Sequence, residues 1–347
     1  MSNDPFEVLQ TPAPAFLTEQ ASALLREHYD LRAGLEPLVS ERDRNFLVSV
    51  TDGTRYVLKF ANSAETPAIT DFQTQALLHI ARVAPEIPVP TVIPTRDDQL
   101  MFDATSDDGS MHRVRLLSWL DGIPLYDAEG VPSIAGQMGS SLARLGLALK
   151  DFTHPASNYS LLWDIRNASH LIELLPHIRD VRLRQLCETQ LRHFHDSVEP
   201  RLGTLRRQVI HNDMNPGNVL VNGGDAIRLA GVIDFGDLAH SQLINDVAIA
   251  AAYLCRIGDD PYVEVLDFLS EYTRIVPLTD DEISLLPDLI VARRLTTTMI
   301  SQWRAALYPE NRDYILGDEV RSRQKLELTA SLSTESTRQR FREVCYP

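Results

Sequence analysis

Three cysteines in 347 residues, at positions 187, 255 and 345, exclude a disulfide framework or a zinc site. They are odd in number, widely scattered and without CxxC spacing, as expected of reduced, partly buried thiols in a cytoplasmic protein. Long apolar runs are also missing. The longest candidate, VAIAAAYL at 247–254, is far too short to span a bilayer. The stretch MSNDPFEVLQTPAPAF has neither a basic nor an apolar signal region, so no signal peptide is expected. Basic residues are outnumbered 33 to 48, giving a formal net charge of −15. That balance argues against nucleic acid or a membrane as partner and mildly favours cationic substrates. Repeats and low-complexity tracts are absent. What the chain does have is length and 44% hydrophobic residues, enough for a sizeable core in two domains or lobes.

Periodicity divides the chain in two. TEQASALLREHY (18–29) has amphipathic helix spacing with Thr18 as N-cap. NFLVSV and RYVLKF, joined by TDGT, predict a β-hairpin with Asp52-Gly53 at the turn. A helix is expected over about 68–83, then strands in VPTVIPT, QLMFDA and HRVRLLSWL. After the Asp121-Gly122 pair, most of the chain reads as helix, including ASHLIELLPHIRDVRLRQLCETQLRHFHDSV. The exception is VLVNGGDAIRLAGVIDF, where the 222–225 turn separates two β-type runs. The expected architecture is α+β: a small antiparallel β-rich N-lobe (1–117), a hinge (118–123) and a larger, mainly helical C-lobe (124–347). This is a protein-kinase-like two-lobed arrangement.

The polar residues agree with it. Phosphoryl transfer needs a cation for the phosphates, oxygen ligands for a divalent metal, and a carboxylate to accept the hydroxyl proton. HNDMNPGN (211–218) supplies Asp213 and, five residues on, the amide of Asn218; IDFGD (233–237) supplies Asp234. A hairpin between them folds Asn218 and Asp234 toward one Mg²⁺, a hard ion that takes oxygen donors and few protein carboxylates. The spacing H-x-D-x-x-x-x-N followed by D-F-G is that of a kinase catalytic loop and metal motif. Turn formation alone would account for Asn-Pro-Gly but not for the whole set. Lys59, on the strand after the hairpin turn, is the candidate phosphate-binding cation. The preceding loop, SERDRN (40–45), contains no glycine, so any backbone cradle over the phosphates, at Asn45 and its neighbours, is built differently from a glycine-rich loop.

HNDMNPGNVL and VIDFGD, with VLKF, IPVP (87–90) and SWLDGIPL (118–125), resemble the aminoglycoside phosphotransferase and choline kinase superfamily, across roughly residues 18–315. LARLGLALKDFTHPASNYSLLWDIRN, GVIDFGDLAHSQLINDVAIAAAYL and LYPENRDY are most similar to hydroxylysine kinase and its bacterial relatives. Gly146, where many superfamily members carry histidine, fits that subgroup. The resemblance implies transfer of the γ-phosphoryl of GTP or ATP, with Mg²⁺ (or Mn²⁺), to a hydroxyl of an amino alcohol or amino acid, 5-hydroxylysine being the best guess. It implies Asp213 as catalytic base, Asn218 and Asp234 as metal ligands, and Lys59 on the phosphates. Ser118, Trp119 and Leu120 would meet the base, while His211 and Asp246 would support the catalytic loop. Related modules also head longer chains with a class-III aminotransferase domain, which implies a PLP-dependent aminotransferase-type enzyme as pathway partner.

The helix expected to carry the glutamate partner of Lys59 reads DFQTQALLHI, so Asp71 or a weaker polar contact must replace it. For the ammonium and carboxylate groups of the acceptor, the candidates are Asp237, Trp163, Asp164 and Arg293, with Arg294 beside it. Homoserine, choline and aminoglycoside kinases are the rival enzymes. A nucleotide-binding regulatory module of pseudokinase type is the rival class.

Overall fold

Alternation of apolar and polar residues builds the first part of the chain. The computed structural model describes residues 5–128, 133–223, 227–317, 319–332 and 334–346. Strands β1 (Ala33–Leu38), β2 (Arg44–Val50), β3 (Arg55–Phe60), β4 (Val92–Ile93), β5 (Phe102–Thr105) and β6 (Met111–Ser118) form one antiparallel sheet ordered β1-β2-β3-β6-β4, with β5 also on β6. In β2, Phe46 and Val48 point inward and are fully buried, as period-two alternation requires. Helix α1 (Glu7–Gln10) leads to α2 (Thr18–Tyr29), whose Ala21, Leu25 and Tyr29 pack on the sheet with Phe16, Phe60 and Leu116. Leu17, rather than Thr18, is the N-cap, and its N–H donates to the Gln20 side chain at 2.8 Å. The predicted turn is present: Gly53 has φ +91°, and Asp52 accepts the Thr54 N–H at 2.8 Å.

β1 does not read as a strand because Gly34 and Pro37 interrupt AGLEPL. It lies at the sheet edge, where a missing N–H is tolerated. VPTVIPT contributes only Val92–Ile93.

Helix α3 (Pro67–Val83) starts with proline in its first turn and carries two kinds of buried face. Phe72, Ala76, Leu77 and Ile80 join the core of the larger lobe, while Thr70, Gln73 and Thr74 cover the buried Arg115 of β6. The helix therefore ties the sheet to the helical lobe.

Beyond β7 (Ile123–Pro124) come α4 (Ala135–Leu149), a 3-10 stretch (Ile165–His177), α5 (Val181–His193), a π turn and α6 (Glu199–Leu202). The continuous helix expected over 168–198 is broken at Ile178. Pro176 cannot donate, and Asp180 starts a new helix by accepting the Leu183 N–H at 2.8 Å. Then follow β8 (Arg207–Ile210), β9 (Val219–Val221), β10 (Leu229–Val232), β11 (Ala239–Gln242), α7 (Leu243–Leu254), α8 (Val263–Thr273), α9 (Asp280–Leu307), α10 (Arg312–Ile315), α11 (Glu319–Leu332) and α12 (Glu335–Cys345). Gly224 and Asp225 of the expected 222–225 turn lie outside the described residues; β9 and β10 on either side pair as predicted. β11 is polar (AHSQ), so no alternation announces it.

α4 packs on α8 so closely that a Cβ at Gly139 would sit 2.1 Å from the Phe268 carbonyl oxygen. Cys187, Cys255 and Cys345 are unpaired and buried, all in this lobe. Among the described residues, no helix is long and apolar enough to cross a membrane.

Candidate active site

Two small antiparallel ladders place the polar loops. β8 pairs with β11, and β9 pairs with both β10 and β7. The loop 211–218 thus leaves one ladder and enters the other, while 233–238 returns the opposite way. Ile233 N–H donates to Asn218 O at 2.9 Å, which seats Asn218 beside Asp234.

Both ends of the catalytic-type loop are tied down. Asp246, at the start of α7, accepts the N–H groups of His211 at 3.1 Å and Asn212 at 2.8 Å, the bracing arrangement expected of it. His211 is buried against Phe235, with ring centroids 4.8 Å apart. Its Nδ1 accepts the Asp213 N–H at 3.3 Å and its Nε2 lies 3.1 Å from Ile233 O. With both ring nitrogens engaged, one by the loop and one by Ile233, His211 holds the loop's shape. Asn212 adopts φ +65° and donates to Asp237 O at 3.1 Å.

Asp213 projects into a cleft of about 470 Å³ between the lobes. Its Oδ2 accepts Asn215 Nδ2 at 2.9 Å and Asn218 Nδ2 at 2.8 Å, and its Oδ1 accepts Arg293 Nη2 at 2.6 Å. Burial pushes the Asp213 carboxyl up to about 7, against the pull of Arg293 and helped by the neighbouring Asp237. Asn218 spends its amide N–H groups on Asp213, which leaves its side-chain oxygen for a cation.

Asp234, with φ +59°, has a half-exposed side chain (52%). Its Oδ1 lies 3.3 Å from Lys59 Nζ and accepts the Gly236 N–H at 3.2 Å. The Lys59 ammonium is the main reason its carboxyl is held far below the usual range.

The partner of Lys59 is a correction to the sequence reading. It is not Asp71, which bonds His154 at 3.1 Å, nor Gln73 or Gln75. Gln73 instead donates to Gly236 O at 3.0 Å and accepts from Arg115. Lys59 pairs with Asp43, at 2.9 Å, from the glycine-free loop. Desolvation opposes the charge on Lys59, but Asp234 and Asp43 together raise its proton affinity above the ordinary lysine value. The loop as a whole grips the large lobe with side chains. Arg42 donates to Gly236 O at 2.9 Å and pairs with Asp237 at 2.6 Å, while Glu41 pairs with Arg304 of α9 at 2.5 Å.

Asn45 faces Lys59 across the β2–β3 ladder and lines the cleft, its buried Oδ1 without a hydrogen-bond partner among the described residues. In the connecting segment, Ser118 exchanges hydrogen bonds with Thr91, and Trp119 lies under the Arg55 guanidinium at 5.2 Å. Leu120 crowds Gly231, where a Cβ would come within 2.8 Å of its side chain. IPVP meets the same region through Val232 N–H to Pro88 O at 3.0 Å.

Three expected acceptor contacts are already engaged within the protein. Asp237 is paired with Arg42, and the Trp163 ring stacks on Arg293 at 5.2 Å. Asp164 is fully buried, caps the 3-10 stretch and accepts from Ser241 at 2.8 Å; it does not reach the cleft. Arg294 donates to Ala252 O. The residues that sequence reasoning missed are Arg42, Asp43, Asn215 and Tyr253. The first two sat in the loop singled out for lacking glycine, where the alternating charges were the available signal.

On the far side of Asn215–Gly217 a second hollow, of about 960 Å³, opens between α9 and α11, lined by Thr297, Thr298 and Ser301. Tyr253 borders both spaces. Among the described residues, no group of three or more His, Cys, Asp or Glu side chains is placed to hold a metal alone. One carboxylate with one amide oxygen is a donor set suited to Mg²⁺ completed by phosphates and water.

Comparison with known proteins agrees with this geometry. The chain is 27% identical to hydroxylysine kinase of Mus musculus over 326 residues, covering 87% of this chain and 86% of that protein. It is 29% identical to homoserine kinase of Methylobacillus flagellatus over 252 residues, covering 71% and 72%. Among solved structures, an amicoumacin kinase in complex with AMP-PNP, Ca²⁺ and Ami shares the fold, with a TM-score of 0.66 at 14% identity over 86% of this chain and 93% of that one. Residues 34–275 match the family described as "Phosphotransferase enzyme family", well over half of the chain, and the protein belongs to that family of small-molecule kinases with hydroxyl acceptors.

Proposed function

We propose that the protein transfers the γ-phosphoryl group of GTP or ATP to the hydroxyl of an amine-containing metabolite, with 5-hydroxylysine as acceptor. The observation that carries the reading is the convergence of Asp213, Asn218 and Asp234 on one cleft between the lobes, with Lys59 paired to Asp234 behind its wall. Lys59 and Asn45 at the start of β2 would take the phosphates, and the 118–120 segment the base. Asn218 and Asp234 would hold Mg²⁺, which when bound neutralises phosphate charge. The hollow beyond Asn215, which shares Asn215 and Tyr253 with the cleft that Asp213 lines, would take the acceptor. There Asp213 orients the hydroxyl and takes its proton, and positioning with electrostatics supplies most of the acceleration.

The choice of acceptor is supported by the relatives: hydroxylysine kinases match across most of their own length. Homoserine kinase remains the rival enzyme because it also matches, over a shorter span. The regulatory-module reading loses one of its two supports, the missing glutamate, since Asp43 supplies the partner that Lys59 lacked in sequence; the other, the glycine-free loop, stands. The test is nucleoside-diphosphate release with Mg²⁺, pairing ATP or GTP with 5-hydroxylysine, homoserine, choline, ethanolamine and an aminoglycoside. Turnover confined to hydroxylysine supports the reading; turnover on another acceptor replaces it; bound nucleotide without turnover on any of them restores the regulatory module.

A further inference from the structure

Arg293 sits near the middle of α9, and its side chain is only 3% exposed. Burying a guanidinium is costly unless each face finds a partner, and here the partners are specific. Nη1 donates to Trp163 O at 3.1 Å; Nη2 donates to Asp213 Oδ1 at 2.6 Å and to Tyr253 OH at 3.3 Å. The Trp163 and Tyr253 rings flank the guanidinium carbon at 5.2 and 5.6 Å. Nε is buried and has no hydrogen-bond partner among the described residues. So enclosed, the group has no accessible fork to offer a substrate carboxylate, the role expected from sequence.

Resting on the proposed role of Asp213 as base, we infer that Arg293 is a positioning residue that selects which oxygen of Asp213 accepts the proton. A carboxylate oxygen has two lone pairs. Those of Oδ2 are both taken, by the amides of Asn215 and Asn218. Among the described residues, Oδ1 takes one donor, from Arg293, and keeps one lone pair. The acceptor hydroxyl therefore delivers its proton to Oδ1. Its oxygen bonds the γ-phosphorus as the bond from that phosphorus to the β–γ bridging oxygen breaks, and the nucleoside diphosphate leaves with that electron pair. The planar guanidinium, clamped between two rings and a carbonyl, fixes the carboxylate plane and hence the direction of the remaining lone pair. Asn215 and Asn218 alone would allow the carboxylate to turn about its Oδ2 contacts.

The test is steady-state kinetics on wild type, Arg293→Lys, Arg293→Ala, Asp213→Asn and the Asp213→Asn/Arg293→Lys double variant, counting labelled γ-phosphoryl transfer so that residual rates are measured. Arg293→Lys keeps the charge but not the fork. It is expected to lower kcat roughly 10- to 100-fold, the scale of a misplaced reacting group, with nucleotide KM within about twofold. Added guanidinium ion, below denaturing concentration, is expected to restore part of the Arg293→Ala rate. In the Asp213→Asn background the effect of Arg293→Lys should vanish, because the two residues act as a unit. An unchanged kcat in Arg293→Lys overturns the inference. So does an equal fold loss in both backgrounds, or a loss shared by nucleotide affinity and melting temperature, which marks a merely structural tie. If Arg293→Ala does not fold, Arg293→Lys and the double variant still decide between positioning and a structural tie. A wild-type protein that transfers phosphate to no acceptor overturns the functional reading itself and this inference with it.

Discussion

Asp213 illustrates how a single side chain is committed by its surroundings. Three donors hold it and burial raises its proton affinity. In the proposed role of base it would act on the transition state rather than on nucleotide binding. Asp213→Asn is therefore expected to cut turnover by about 10²- to 10⁴-fold, while nucleotide affinity by calorimetry changes little. Retained turnover would remove Asp213 from the base role. Asp43 makes the second residue-scale prediction. Asp43→Ala deprives Lys59 of its nearer carboxylate and should raise nucleotide KM by roughly tenfold or more, the worth of one hydrogen bond to a charged group. Asp71→Ala should leave it near wild type, and the reverse ranking would reinstate Asp71, one of the two alternatives left by the sequence. The candidate residues around Asp213 were legible because their spacing is short and rigid. Asp43 was not, because its contact with Lys59 is made from the loop end of β2 across to β3, two residues from the Asn45 that faces Lys59.

Among the elements, those with strong periodicity were readable and those shaped by tertiary contacts were not. The 44–60 hairpin and α3 fall where alternation and helical spacing put them. β11, polar along its length, is a strand only because β8 lies beside it. The helical period over 168–198 is real, yet Pro176 and the Asp180 cap divide it. Close approach is equally invisible in a single sequence. Nothing in IAGQMGSSLARLG says that Gly139 touches the backbone of α8. Gly139→Ala must push α4 and α8 apart and is expected to cost about 1–3 kcal/mol of stability, the usual scale of overpacking. Urea unfolding measures it; an unchanged midpoint would mean that the two helices separate freely.

Across the whole molecule, the β1–β2 loop is where the lobes meet over the cleft. Glu41 reaches Arg304 on α9, and Arg42 reaches Asp237, so the loop is held shut by charges from the opposite lobe. Arg304→Ala should speed nucleotide dissociation and increase amide exchange over 39–43 while leaving exchange in α9 unchanged. Identical exchange in the two proteins would show that the loop keeps its place without the Glu41 pair. The three buried cysteines have a different consequence. Burial raises the thiols of Cys187, Cys255 and Cys345 to about 12, 11 and 12, so the folded protein presents almost no thiolate at neutral pH. They stand on α5, just after α7 and on α12, each in a different part of the helical lobe and none in the sheet. Alkylation by a small reagent therefore works as a clock with three hands. The order in which the sites become modified under mild denaturant ranks the local openings of the large lobe, while motion of the small lobe leaves the clock still.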